Sequence, residues 1–145
     1  MKTVADCSNI IIPDNNDTIA RWVCKGLGEN TNWLYNYQTF GVMRKGKIVA
    51  GLIFHDIRVG QDVWWTIYSI DPRWCCRRII KDFMYLAFQI LKCRRINLLV
   101  NPDNKSALNF VTRLGFKIEG YLRQFRDNGS DCCILGLLKS ENKYL

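Results

Sequence analysis

The stretch Ile79-Ile80-Lys81-Asp82-Phe83-Met84-Tyr85-Leu86-Ala87-Phe88-Gln89-Ile90-Leu91 decides the fold. Ile80, Phe83, Met84, Ala87, Phe88 and Leu91 recur at i, i+3, i+4, i+7, i+8 and i+11, one apolar face of a helix. Ile79, Leu86 and Ile90 widen that face; Arg78, Lys81, Asp82, Tyr85, Gln89 and Lys92 take the rest. The spacing predicts a single helix over residues 77–92. Before it, Val63–Ile70 is rich in β-branched and aromatic residues; after it, Ile96–Val100 is a short apolar run. Strand, helix and strand in that order predict a right-handed parallel crossover.

Further out, Phe40–Met43 and Ile48–Ile57 flank Arg44-Lys45-Gly46-Lys47, a hairpin signal, and Val59-Gly60-Gln61-Asp62 is a second turn. Three strands therefore run as a meander before the helix. Upstream, Asn9–Ile12 reads as a strand. Asp14 or Asn15 then caps a helix through Leu27, which Gly26 and Gly28 end. Residues 29–37 read as loop. Downstream, Asp103 or Asn104 caps a helix carrying Ala107, Leu108, Val111 and Leu114, and Gly115 stops it. Phe116–Phe125 and Cys132–Leu138 flank the turn Asp127-Asn128-Gly129-Ser130. The order predicts one α/β domain over residues 1–145, with a mixed, mostly antiparallel sheet and helices on both faces.

With 145 residues, 48% hydrophobic and 23% charged, the composition is that of an ordinary globular domain and excludes disorder and low complexity. Neither a membrane span nor a signal-peptide apolar core is legible, so the expected location is cytoplasmic, with no membrane partner. Of the net charge of +8, residues 73–95 contribute +6, which calls for an anionic partner or a solvated face. The aromatics Trp64, Trp65, Tyr68 and Trp74 beside Arg73, Arg77 and Arg78 read as a nucleic-acid stacking surface or as a strand packed between helices. The seven cysteines are scattered and include two vicinal pairs, so they read as buried free thiols in a reducing compartment. With His55 the sole histidine, no metal site is expected.

The element order, together with Asn104-Lys105-Ser106-Ala107 and Leu114-Gly115-Phe116-Lys117-Ile118-Glu119-Gly120-Tyr121-Leu122-Arg123, resembles the GNAT acetyltransferases. The match is to their pattern N-x-x-A followed by L-G-F-x-x-E-G-x-x-R. It is closest to the branch that acetylates protein N-termini and similar amines. The chain is also similar to short GNAT-like proteins of tailed bacteriophages, some of which belong to the virion. The resemblance implies acetyl-CoA as co-substrate, held at Ile70, Arg73, Cys76, Arg77 and Arg78, with Asn104 near the pantetheine arm. It implies an amine acceptor such as a protein N-terminus.

Two departures stand out. The family's cofactor loop is glycine-rich, whereas no glycine lies between Gly60 and Gly115. Either arginine side chains meet the phosphates, or the pocket is filled and the cofactor lost; Trp74 is large enough to fill it. The family's carboxylate base falls at Thr66, which cannot be a base, and its thiolate-protonating tyrosine falls at Val111. Candidate catalytic groups are therefore Tyr68, Ser69 and Glu119, with His55, Asp56 and Tyr121 in reserve. Glu119 and Arg123, four apart on a strand, read as a structural pair or as part of a cleft. Three functions follow: an N-acyltransferase whose activity is weak, a catalytically degenerate GNAT-fold component of an assembly such as a virion, and a basic nucleic-acid-binding accessory protein.

Overall fold

The computed structural model describes residues 7–144. The strands are β1 (Ile10–Asp14), β2 (Gln38–Arg44), β3 (Lys47–Arg58), β4 (Asp62–Ser69), β5 (Arg95–Val100), β6 (Lys117–Leu122) and β7 (Cys132–Leu138). The helices are α1 (Thr18–Leu27), α2 (Arg77–Tyr85) and α3 (Lys105–Leu114). All seven strands form one sheet in the order β1-β2-β3-β4-β5-β7-β6. Every neighbour is antiparallel except the β4–β5 pair. The expected meander and parallel crossover are both present.

Alternation along the strands separates the two faces. Leu52, Phe54, Val63, Trp65, Ile96, Leu98, Leu135 and Leu137 join Ile80, Phe83, Met84, Ala87 and Phe88 of the helical stretch in the main core. Ile53 meets Ala20, Val23 and Cys24 of α1 on the other face, with Trp22, Trp33 and Tyr68 packed around them. Trp65 and Trp74 lie in the main core at 1% and 3% exposure, which takes these two out of the stacking surface the sequence suggested; Trp64 and Tyr68 are half-buried on the other face.

Several boundaries differ from expectation for identifiable reasons. The predicted helix over 77–92 is α-helical only to Tyr85; Leu86–Ile90 is wound as a wider π turn. There the Leu91 N–H donates to the Leu86 carbonyl at 2.9 Å, five residues back. The extra residue in the turn rotates the face, so Ala87 and Phe88 are fully buried while Ile90 is turned out. Gly26 does not terminate α1. It lies in its last turn because a Cβ there would fall 2.3 Å from the Tyr68 ring, and Gly28 makes the left-handed cap. The N-cap of α1 is Asp17 rather than Asp14 or Asn15; Asp14 ends β1, and its carboxylate reaches forward to accept the Ile19 N–H at 2.7 Å. β6 ends at Leu122 rather than Phe125.

Not all the cysteines are free: Cys7 and Cys76 form a disulfide. The vicinal spacing that argued against a disulfide framework does not bear on this bond, because its partners are 69 residues apart in sequence. Phe83 is fully buried, with its ring 5.7 Å from Phe40 and 6.2 Å from Phe54. Phe83→Ala should therefore cost about 3–5 kcal/mol in urea unfolding, and a loss below about 1 kcal/mol would contradict its place in the core.

Candidate active site

β4 and β5 run side by side for only four residue pairs, from Asp62↔Arg95 to Trp65↔Leu98. Beyond them, β4 stays with β3 as far as Ala50↔Ser69, and β5 stays with β7 as far as Val100↔Cys133. The two strands part, and β4 residues 66–69 have no β5 partner. This opening is where a chain of amide groups can be held by backbone hydrogen bonds without breaking the sheet.

The loop after β4 closes one side. Asp71 caps the single turn Pro72–Trp74, accepting the Arg73 N–H at 2.9 Å and pairing with the Arg73 guanidinium at 2.9 Å. Those bonds hold the Asp71 carboxyl down at about 2. Asn9, 1% exposed, donates to the backbone carbonyls of Arg73 and Trp74, both at 2.9 Å. Trp74 packs on Phe110 of α3 with ring centroids 5.7 Å apart. Its indole fills the space between the loop and α3.

The arginines read as phosphate ligands are already engaged. Arg73 holds Asp71, Arg78 donates to the Asn9 carbonyl, and the Arg77 guanidinium lies 5.4 Å above the Tyr144 ring. Cys76 is the N-cap of α2, but its sulfur is bonded to Cys7 and makes no capping bond. Burial pushes the Cys75 thiol up to about 12, which removes it as a nucleophile. The α2 N-terminus thus keeps N–H groups that no side chain caps. A cavity of about 260 Å³ adjoins it, lined by Cys75, Cys76, Arg77, Ile80, Phe110, Arg113, Leu114 and Tyr144.

The fit to a nucleotide thioester is therefore through backbone. The parted edge of β4, from 66 to Ile70, suits the amide arm, and the uncapped α2 N-terminus suits a pyrophosphate. Ile70 sits at the opening, half exposed. Asn104 caps α3 through its Oδ1, which accepts the Ala107 N–H at 3.2 Å and leaves its amide N–H₂ available.

On the α1 face, sequence reading did not bring together the groups that now meet. His55 on β3 is 7% exposed. Its Nε2 lies 2.8 Å from Thr66 Oγ1 and its Nδ1 lies 2.7 Å from the Asp56 carboxylate. A carboxylate can only accept, so Nδ1 carries the proton and Nε2 accepts from the Thr66 hydroxyl. Asp56 adopts φ 47° in a bulge, where its N–H donates to the Tyr35 carbonyl at 2.9 Å. That reversal turns its carboxylate back onto the adjacent ring. Trp33 meets the imidazole edge-on at 4.8 Å. Burial lowers the His55 pKa, outweighing the opposing pull of Asp56. At neutral pH the ring is a neutral base.

The remaining candidates separate. Tyr68 sits on the same face as Thr66 but packs against Trp22 at 5.2 Å and against Gly26. Ser69 ends β4 exposed. Val111 is buried in the core, and Tyr121 is exposed on β6. Glu119 pairs with Arg95 rather than Arg123, because a bulge between Ile118 and Gly120 shifts the pleat and β6 ends before Arg123. Among the described residues, no cluster of metal-binding side chains occurs, and no helix is long and apolar enough to cross a membrane.

These features are those of an acyl transferase sheet, and comparison with known proteins agrees. A profile of the Acetyltransferase (GNAT) family matches residues 10–116. The chain belongs to this family, whose reaction moves an acetyl group from acetyl-CoA to an amine. Comparison with curated protein sequences returns no match. Among solved structures, it is similar to a point mutant of the spermidine N-acetyltransferase SpeG from Vibrio cholerae. The TM-score is 0.71 at 17% identity, covering 94% of this chain and 96% of that one. It is also similar to the Vibrio cholerae spermidine N-acetyltransferase in complex with CoA and spermine, with TM-score 0.71, 15% identity and coverage of 92% and 96%. At these identities the likeness establishes the fold.

Asn9→Ala would leave the Arg73 and Trp74 carbonyls without their donor in a buried setting. It should lower stability by about 1–3 kcal/mol and raise KM for acetyl-CoA, read by thermal melts and steady-state kinetics. A variant with wild-type melting and KM would remove Asn9 as the anchor of this loop.

Proposed function

We propose that the chain is an acetyl-CoA-dependent N-acetyltransferase whose acceptor amine approaches Thr66 from the α1 face and gives up its proton toward His55. One observation carries this reading: the Asp56–His55–Thr66 series ends at the residue from which β4 loses its β5 partner. Thr66 Oγ1 accepts the amine proton as its own proton passes to His55 Nε2, and Asp56 stabilises the imidazolium that results. The co-substrate supplies the thioester carbonyl. The residues proposed to hold it are Ile70, the backbone of Cys76, Arg77 and Arg78, and Asn104, with Arg73 fixing the loop through Asp71. Ser69 and Tyr68 line the mouth, and Glu119 stands outside the reacting group.

The acceptor we favour is a neutral or singly charged amine, such as a protein N-terminus, rather than a polycation. The loop 28–37 has one acidic residue, Glu29, and it is bound to Arg126 at 3.3 Å. A chain of net charge +8 repels polyamines. The Trp74 indole against Phe110 supports a modest rate, since it narrows the space beside the opening. Membership in a virion or another assembly, and binding of nucleic acid, have less support than acetyl transfer.

The test is acetylation of a peptide N-terminus and of spermine side by side, with the peptide expected to be the better acceptor. His55→Gln should reduce kcat by about a hundredfold and leave acetyl-CoA affinity unchanged. Because the His55 pKa is lowered from 6.5, wild-type activity should persist below pH 6.5 and fall only as the folded ring gains its proton. Stability follows the same sign: the unfolded histidine takes up its proton first, so acidification from 6.5 to the lowered folded value weakens the fold. Wild-type kcat and pH profile in His55→Gln would sink the relay.

A further inference from the structure

The basic cluster of residues 73–95 is split by α2 and its π turn. Arg73, Arg77 and Arg78 lie at the start of the helix and are engaged there. Arg94 and Arg95 lie beyond its end, where β5 begins, at the end of the β4–β5 pair opposite the opening. Here three segments converge: the β3–β4 turn, the entry to β5, and the exit from β7. They form a cleft of about 650 Å³ lined by Arg58, Gln61, Asp62, Arg94, Arg95, Leu138, Lys139 and Ser140. That volume is in the range of small-ligand sites.

The wall of the cleft is built. Asp62 and Asn97 are buried at 8% and 4% exposure. Asn97 Nδ2 donates to Asp62 Oδ2 at 2.9 Å, and the other Asp62 oxygen accepts from Arg58 Nε at 2.6 Å. Asn97 Oδ1 accepts from Arg95 Nε at 2.6 Å, and Glu119 takes the end of the Arg95 guanidinium. Two guanidinium groups are thus held by one buried network, with their remaining N–H groups unspent. The Lys139 N–H donates to the Arg94 carbonyl at 2.8 Å, which brings the main chain of the other two basic residues together. Among the described residues, neither the Arg94 nor the Lys139 side chain has an acidic partner. Glu141, the other nearby acid, is bound to Lys117 at 2.7 Å and accepts the Leu138 N–H.

We propose that this cleft binds a compact polyanion carrying two or more linked phosphates. Among the described residues, Arg94 and Lys139 carry unpaired charge, and Arg58 and Arg95, though neutralised by Asp62 and Glu119, are held at the same cleft with outer N–H groups to offer. Donors from three segments exceed what one phosphate can meet, and guanidinium forks match phosphate oxygens in pairs. Their confinement to one cleft, instead of a stripe along the surface, favours a small ligand over a nucleic-acid strand. The site lies at the far end of β4 from the acetyl-transfer opening and does not depend on that reaction.

The test is calorimetric titration with inorganic tripolyphosphate at low ionic strength. Wild-type protein should bind one equivalent that the Arg94→Ala/Lys139→Ala variant weakens, apart from any taken by the backbone N–H groups of the α2 N-terminus. The Arg94→Ala/Lys139→Ala variant, both positions being exposed, should bind at least about tenfold more weakly with unchanged melting. Arg73→Ala/Arg77→Ala should bind as wild type. Absence of saturable binding at millimolar ligand would overturn the proposal. So would wild-type affinity in the Arg94/Lys139 variant, or loss of binding in the Arg73/Arg77 variant. An oligonucleotide that binds at the cleft and is not displaced by tripolyphosphate would also overturn it.

Discussion

The parting of β4 from β5 after Trp65↔Leu98 is the constraint on which the rest depends. A parallel pair that ended together would leave no opening in a continuous sheet. Here the antiparallel partners on either side pull the strands apart. β3 keeps β4 to its last residue, and β7 keeps β5 to its last. The core holds this geometry. Trp65 at the branch is buried against Phe54 at 5.4 Å, Phe83 at 6.4 Å and Phe116 at 6.1 Å. The opening is thus braced by aromatic packing beneath it, while the buried Asn9 side chain braces the loop beside it.

The polar groups around the opening divide by the face of the sheet. On the α2 and α3 face, the loop after β4 is fixed by buried Asn9 and by Asp71, and what it offers a ligand is backbone N–H. On the α1 face, the offer is a neutral histidine behind a hydroxyl. A parted sheet permits such a division, because a group bound along the open edge of β4 can be reached from either side.

Much of this was legible in the sequence, and the exceptions have physical reasons. Hairpins at 44–47 and 59–62 were marked by their turn residues, and the crossover by the change of period at Ile80. Apolar spacing does not encode which carbonyl an N–H reaches, so the π turn at Leu86–Ile90 and the exposure of Ile90 were not visible. Gly26 read as a stop because the Tyr68 ring that requires it comes from another strand. The His55–Thr66 pair depends on cross-strand register, and the Asp56 contact on a bulge with φ 47°. A count outward from the 59–62 turn would have put His55 and Thr66 on one face, but not Asp56 against the ring. The glycine-free loop was visible; that its arginines are consumed by Asp71, Asn9 and Tyr144 was not.

The Cys7–Cys76 bond closes a covalent ring around β1 to β4 and α1, while β5, α3, β6 and β7 remain outside it. In the chain-entropy view, a ring of that length removes about 4 kcal/mol of freedom from the unfolded chain. All of that restraint falls on one side of the β4–β5 seam, where four residue pairs join the halves. The disulfide therefore restrains the unfolded chain on one side of the seam only. Reduction would remove that asymmetry, and it would do so through the unfolded chain, since the core itself spans the seam.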